Sequence, residues 1–585
     1  IREFNGVPYV YAFKFQKGEL TEKLLPDFCQ DILASLNFPK PMRWGGGDVR
    51  FIRPIRWLVA LYGDRVVPFA YAGLNSGRTS RGHRTLGGYV RLVKPEEYFE
   101  ALEAAYVLVD HEKRKAEIWS QIKKLAIQVG GLVEEDEDLL TEITHLVEYP
   151  TALLGDLDIK YLALPEEVIT TPMKEHQKYF PVRGENGKLL PYFITVRNGD
   201  NTGLDVVKEG NKKVLKARLE DAAFYFREDL KKPLASFVSE LDKVVYHDKL
   251  GTVGQRVERL RRLAGYIAAQ MDLDQKTIEL VDRTAYLAKA DLVTHMVYDF
   301  PELQGIMGGY YAKYSGEDPA VCTGIVEHYR PRFSGDEFPA TIVGETVSLA
   351  DKIDAIVGSF GIGIQPTGSQ DPYALRRQAL GVVGILLKDS RNLSLNDLLE
   401  KAYAIFGEQG IELKPLAEIL PALEDFFSQR VRYLLLESGL RYDTVDAVLA
   451  VGAQRPYEVA QKAQVLADLR IKDEFVAYIN AYTRCVNLSK KAEDAKWNAE
   501  DLVDASEKDL AKALADKSPK VFAACQQLAF AEAYAVASEL VPFIEKLFDS
   551  VMIMVEDEKL RTARLGLLRD CVQTLGCLGD LTLLA

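Results

Sequence analysis

Sulfur and imidazole are scarce in this chain. Among 585 residues there are six cysteines, seven methionines and seven histidines. Cys29, Cys322, Cys485, Cys525, Cys571 and Cys577 form no CxxC pair, so neither a zinc knuckle nor a disulfide framework is indicated, and a reducing cytoplasm fits. Long apolar runs are missing too. The best, ALGVVGILL at residues 379–387, falls well short of the roughly 18 residues of a membrane helix. No signal-peptide pattern stands at the start. The chain opens at Ile1 rather than Met and runs straight into a strand-like PYVYAFKF, so an N-terminal part is expected to be missing. Positive charge is in deficit: the formal net charge is −13. That argues against nucleic-acid binding over the whole surface but leaves room for one local basic face. What is present is balanced, with 48% hydrophobic and 27% charged residues, in a length that allows about three to five globular domains.

The one place where acids vanish is the stretch from Arg65 to Lys94. It holds Arg65, Arg78, Arg81, Arg84, Arg91 and Lys94 and no Asp or Glu, and Arg43, Arg50, Arg53 and Arg56 precede it. A positive island on a negative body is what a polyanion-binding face looks like in sequence; a solvated loop is the competing reading. Gly45–Gly47, Gly77, Gly82, Gly87 and Gly88 would let backbone N–H groups approach a phosphate with no Cβ in the way. No GxGxxG or GxxxxGK[ST] is formed here, so this is not a nucleotide loop. Arg53, Arg56, Arg78, Arg81, His83 and Arg84 are the candidates.

Residues 1–235 mix strand and helix signals. Residues 8–15 and 66–71 are strand-like, and 21–36, 95–105 and 112–129 show helical spacing. Residues 178–182 and 190–196 are β-rich runs joined by Glu185-Asn186-Gly187, a hairpin turn. Lys174, His176 and Lys178 stand just before the first run, suited either to RNA or to a surface helix end. From 236 to 400 the pattern turns helical, over 251–271, 275–297, 318–329, 341–360 and 371–387. Asp291 and Asp351 lie on two of these helices, and buried carboxylates at such a separation could share a metal. Arg376 and Arg377 follow a loop-rich stretch, and Asp371 before Pro372 reads as a helix N-cap. From 401 to 585 no strand pattern survives. Phe475, Ile479, Tyr482 and Val486 form one stripe, and Asn480, Arg484, Asn487 and Lys491 line the face beside it, spaced 4, 3 and 4. Such a row of amides and cations suits the bases and phosphates of single-stranded RNA; a solvated helix face is the alternative. The acid-rich segment 490–520 is the expected mobile excursion.

Several long motifs occur together in order: MRWG (42–45), RGHR (81–84), TPMKEHQKYFPV (171–182), GKLLPYFITVRN (187–198), QGIMGGYYA (304–312), YRPRFSGD (329–336), FGIGIQPTGSQDPYALRRQALG (360–381) and VMIMVEDEKLRTARLGLL (551–568). Over nearly its whole length the chain thereby resembles the β subunit of bacterial heterotetrameric glycyl-tRNA synthetase. The resemblance implies a multidomain α+β protein: a mixed α/β tRNA-binding or editing-like region at 1–235, a helical HD-type domain at 236–400, and at 401–585 a helical linker and an all-α anticodon-binding domain of the DALR type. Arg430, in the helical motif 427–435, joins the tRNA-binding candidates on this ground.

The implied division of labour gives glycyl-adenylate chemistry, with its ATP and Mg, to a separate α subunit in an α2β2 heterotetramer. This chain would bind tRNA(Gly) in the cytoplasm and hold no cofactor of its own. HIGH- and KMSKS-like motifs are absent, and GIGIQP (361–366) carries no arginine of a class II motif. One departure concerns the HD-type domain. Where such a domain carries a His-Asp pair for its metal, this sequence reads Ala290-Asp291, with Asp351 as the later Asp. A methyl in place of the imidazole removes a ligand, so a metal-free scaffold is expected. The rival function is a metal-dependent HD-type phosphohydrolase working through Asp291 and Asp351 on phosphodiesters or RNA.

Overall fold

The computed structural model describes residues 2–4, 7–10, 12, 18–368, 370–490 and 496–584. The strand expected at 8–15 therefore falls partly outside the described residues, and Lys491 wholly so. The chain divides into two compact units, Ile1–Phe224 and Tyr225–Ala585.

The first unit is mixed α/β. Its sheet comprises β1 (Gly131–Leu132), β2 (Pro150–Asp156), β3 (Phe180–Gly184) and β4 (Leu189–Asn198), antiparallel in the order β1-β3-β4-β2. The turn between β3 and β4 is the one expected from Glu185-Asn186-Gly187, with Gly187 at φ 75°. Lys178 is not in the strand. It adopts φ 58° after the turn Pro172–Gln177, and β3 begins two residues later. Alternation along β4 sorts the apolar side chains between two layers. Ile194 faces Ile118 and Ile122 of α1 (His111–Gln128) and Leu140 and Ile143 of α2 (Glu137–Leu146), while Phe193 faces Tyr161, Met173, Leu215 and Leu219. Gly155 lies opposite Phe193, where a Cβ would stand 2.1 Å from the ring. Asp110 starts α1 by accepting from Glu112 N and Lys113 N.

Among the described residues the second unit is helical apart from the ribbon of Val245–His247 and Gly251–Thr252. Around α5 (Ile342–Gly361) pack α3 (Val253–Gln270), α4 (Gln275–Leu287) and α6 (Leu375–Lys388). Every residue of α5 after its first is buried, including the charged Glu345, Asp351, Lys352 and Asp354. One apolar cluster runs from Leu250 to Leu584, on both sides of residue 400.

The helix expected over 275–297 breaks at Leu287, and Asp291 sits in a short 3-10 turn, Ala290–Val293. Asp371 caps from a distance: its carboxylate accepts from Leu375 N and Arg376 N, so α6 starts at Leu375 rather than beside Pro372. Further on, α7 (Glu474–Ser489) buries Phe475, Tyr478, Tyr482 and Cys485, and Tyr478 donates to Leu575 O at the end of α9 (Glu558–Leu575). Much of the acid-rich segment expected to be mobile is α8 (Ala505–Gln526), held at its start by a capping box of Asp504 and Glu507. Among the described residues no helix is long and apolar enough to cross a membrane.

Candidate nucleic-acid interface

The basic island folds as short strands. Thr79–Arg81 pairs with Tyr89–Arg91, and loop 82–88 closes the hairpin through Gly82 N to Gly88 O and Gly87 N to His83 O, both 2.8 Å. This loop packs on Ala105: a Cβ on Gly87 would stand 2.3 Å from Ala105 O, and one on Gly82 2.5 Å from Ala105 Cβ. These two glycines serve close packing, a correction to their expected role at a phosphate. His83 is corrected as well. It is 4% exposed, and its Nδ1 faces Thr85 N, Thr85 Oγ1 and Leu86 N, so it fastens the loop and cannot reach a ligand at the surface.

The arginines divide. Arg78 is a strut, donating to Asp64 O at 2.8 Å, Leu92 O at 3.3 Å and Val93 O at 3.4 Å. Arg53, Arg56, Arg81 and Arg84 are exposed. Arg81 donates to the Tyr89 hydroxyl at 2.8 Å and lies 4.7 Å from the Tyr89 ring centre and 5.7 Å from that of Trp57. Tyr89 is 74% exposed and Trp57 42%. A guanidinium between two open aromatic faces is a platform on which bases stack. Sequence reasoning counted charges and missed these two rings, although Trp57 adjoins Arg56 and Tyr89 stands two residues from Arg91.

Lys174 and Lys178 are spoken for. Lys174 pairs with Asp136 at 2.9 Å and Lys178 with Glu142 at 2.9 Å, tying the turn before β3 to the start of α2 and its outer face. In the helical unit Arg430 is buried, donates to Phe426 O and Gln429 Oε1, and lies on the Phe426 ring; burial, with Arg376 nearby, lowers its pKa. It is a structural residue, not a surface contact. Arg376 is partly buried; Arg377 is exposed and donates to Arg332 O at 2.9 Å.

On α7 the expected polar row is there. Asn480, Arg484 and Asn487 are all exposed on the face opposite the buried stripe, and the Arg484 guanidinium is steadied 4.2 Å above the Phe548 ring. The fourth member of the row, Lys491, lies outside the described residues.

Asp291 and Asp351 do not form a metal site. Lys289 Nζ stands between His328 Nε2 at 2.8 Å and Asp351 Oδ2 at 3.1 Å, the place an ion bridging imidazole and carboxylate would take. Arg256 holds the other oxygen of Asp351 at 2.9 Å. Asp291 turns its Oδ2 to Gly305 N and Gly308 N, and its Oδ1 is buried without a hydrogen-bond partner among the described residues. A divalent cation would have to displace an ammonium here, so the donor set does not fit one. Among the described residues no group of three or more His, Cys, Asp or Glu is arranged for a metal. Burial would raise the Asp351 carboxyl, yet Arg256 and Lys289 together hold it well below the usual range. Burial and Lys289 push the His328 imidazole well below its usual value. Lys289 and Lys352 escaped notice in the sequence. No signal in the sequence marks them as interior, because the helix that holds Lys352 carries Glu345, Ser348, Asp351 and Asp354 as well.

The family model described as glycyl-tRNA synthetase beta subunit matches residues 1–450, and that described as DALR anticodon binding domain matches 478–581. The chain belongs to the glycyl-tRNA synthetase beta-subunit family. It is 61% identical over 585 residues to the glycine–tRNA ligase beta subunit of Desulfitobacterium hafniense (strain Y51), covering 100% of this chain and 85% of that one. The corresponding protein of Desulforamulus reducens is 47% identical over 98% of this chain and 82% of its own length. That of Moorella thermoacetica is 44% identical over 99% and 84%. In this beta-subunit-family chain, the basic island falls within the first matched segment, and Asn480, Arg484 and Asn487 fall within the second.

Proposed function

We propose that this chain is the tRNA-binding β subunit of a glycine–tRNA ligase, which attaches glycine to tRNA(Gly) with ATP. The adenylate-forming site, and the Mg it uses, belong to a separate α subunit in a cytoplasmic α2β2 assembly. The observation that carries the reading is the exposed row Asn480, Arg484 and Asn487, lying in the segment matched by an anticodon-binding family model. Amides and a fixed guanidinium on one helix face read unpaired base edges and phosphates. Family membership and 61% identity to a glycine–tRNA ligase beta subunit support the substrate.

In this reading residues 1–235 form the tRNA-binding or editing-like region, 236–400 an HD-type helical scaffold, and 401–585 the linker and anticodon-binding domain. Lys289 in the ion's place argues against the rival phosphohydrolase. The test is glycine-dependent ATP–pyrophosphate exchange and tRNA charging. The isolated chain should give no exchange but bind tRNA; with α subunit added, tRNA(Gly) should be glycylated. Robust exchange by this chain alone, or indifference to tRNA at low salt with α subunit supplied, would overturn the reading.

A further inference from the structure

Within the helical unit, α3, α5, α6 and the turn at Lys289 enclose a cleft of about 360 Å³. Its lining is cationic out of proportion to its acids. Arg256, Lys289, Lys352, Arg332 and Arg377 line it, with Asp351 as the one carboxylate. That carboxylate is already consumed, held by Arg256 at 2.9 Å and Lys289 at 3.1 Å, and Arg332 is paired with Asp336 at 3.2 Å. Asp354, behind Arg256, is held by Arg259 at 2.6 Å and also meets Arg256 Nε at 3.4 Å.

Lys352 is the telling residue. It is 4% exposed, and its ammonium meets only uncharged oxygens: Arg330 O at 2.8 Å, Ser348 Oγ at 2.8 Å and His328 O at 3.4 Å. It makes no ion pair among the described residues. Its stem passes Gly381, where a Cβ would stand 2.9 Å from Lys352 Cε, so a glycine keeps the path to the cleft open. Buried cations are retained when something anionic meets them.

We propose that this cleft binds a multiply charged phosphate group of a small molecule, such as pyrophosphate or the phosphate chain of a nucleotide. Lys352 and Arg377 are the lining cations without an ion pair among the described residues, and a monoanion would compensate only one of the two. A guanidinium fork with converging ammonium groups matches the several oxygens of a phosphate. Burial, opposed in part by Asp351, pulls the Lys352 ammonium down to about 7 and that of Lys289 to about 8, and a bound oxyanion would raise both. The inference stands on the cleft alone and is independent of the tRNA-binding reading.

The experiment is calorimetry and thermal denaturation of the full chain with inorganic pyrophosphate, against sodium chloride at matched ionic strength. The expected results are saturable binding and a rise in melting temperature that the salt does not reproduce. Lys352→Met removes a buried cation without stranding a carboxylate, though it leaves His328 O and Arg330 O short of a donor; it should bind pyrophosphate at least tenfold more weakly. Should it fail to fold, Arg377→Gln at the exposed rim reads the same loss. Binding that is absent, or undiminished in the folded variant, overturns the proposal. So does tRNA that displaces pyrophosphate from the wild-type protein, because the phosphate recognised would then be that of an RNA.

Discussion

Asp291 shows what a single buried carboxylate costs when its partners are few. Burial raises its pKa to about 6, against two N–H donors that favour the charged form. The folded value lies above the unfolded one. The stability this group allows is therefore complete below about pH 4 and is lost as pH rises toward 6. Asp291→Asn removes the titration. Urea melts at pH 5 and pH 7 should show the wild-type protein losing about 1 kcal/mol relative to the variant over that interval, since one pKa unit is about 1.4 kcal/mol. Parallel pH dependence in the two proteins would show that the carboxyl is not perturbed. Arg78 makes the complementary case. Its guanidinium serves three carbonyls, so Arg78→Ala should destabilise the first unit by about 1–3 kcal/mol and leave the salt dependence of tRNA binding untouched. A flattened salt dependence would return Arg78 to the interface.

At the scale of elements, two presentations of the groups proposed to contact RNA stand out. The hairpin Thr79–Arg81 and Tyr89–Arg91 holds Arg81 against open rings, and α7 holds Asn480, Arg484 and Asn487 away from its core. Trp57→Ala should weaken binding to tRNA by about 1–3 kcal/mol, the worth of a stacked base, as read by filter binding. Unaltered affinity would mean that the ring stacks on nothing. Arg484→Ala or Asn487→Ala should instead erode preference for the glycine anticodon by about 1–3 kcal/mol, and equal losses with non-glycine tRNAs would count against base contact.

The legibility of these elements from sequence was uneven for physical reasons. The α7 row was visible because helical period alone separates Phe475 and Tyr482 from Arg484 and Asn487. The β3–β4 hairpin was visible because its turn residues are local. By contrast, Arg78, His83 and Arg430 carry the same side chains as surface residues, and only tertiary packing buries His83 and Arg430 and turns Arg78 onto backbone carbonyls. The break of the helix expected over 275–297, which places Lys289 beside His328, depends on partners far along the chain. Lys352 beside Asp351 was readable neither as buried nor as lacking an ion pair, because both are matters of three-dimensional neighbours.

The whole molecule carries a formal net charge of −13, so its long-range field repels RNA and every attractive contact must be local. Each phosphate neutralised adds roughly 0.7–0.9 to the slope of log affinity against log salt. Arg53, Arg56, Arg81 and Arg84 are the exposed cations of the basic island assigned to this role. Replacing all four with alanine should flatten the slope by about 3 and weaken glycine and non-glycine tRNAs alike, because phosphates carry no sequence. Replacing Arg484 alone should change the slope by less than 1 while shifting discrimination. The two outcomes separate positioning from reading, and they are measured on the same titrations. A slope that survives loss of the four island arginines would place the phosphate contacts elsewhere on the chain and leave the island as a solvated surface.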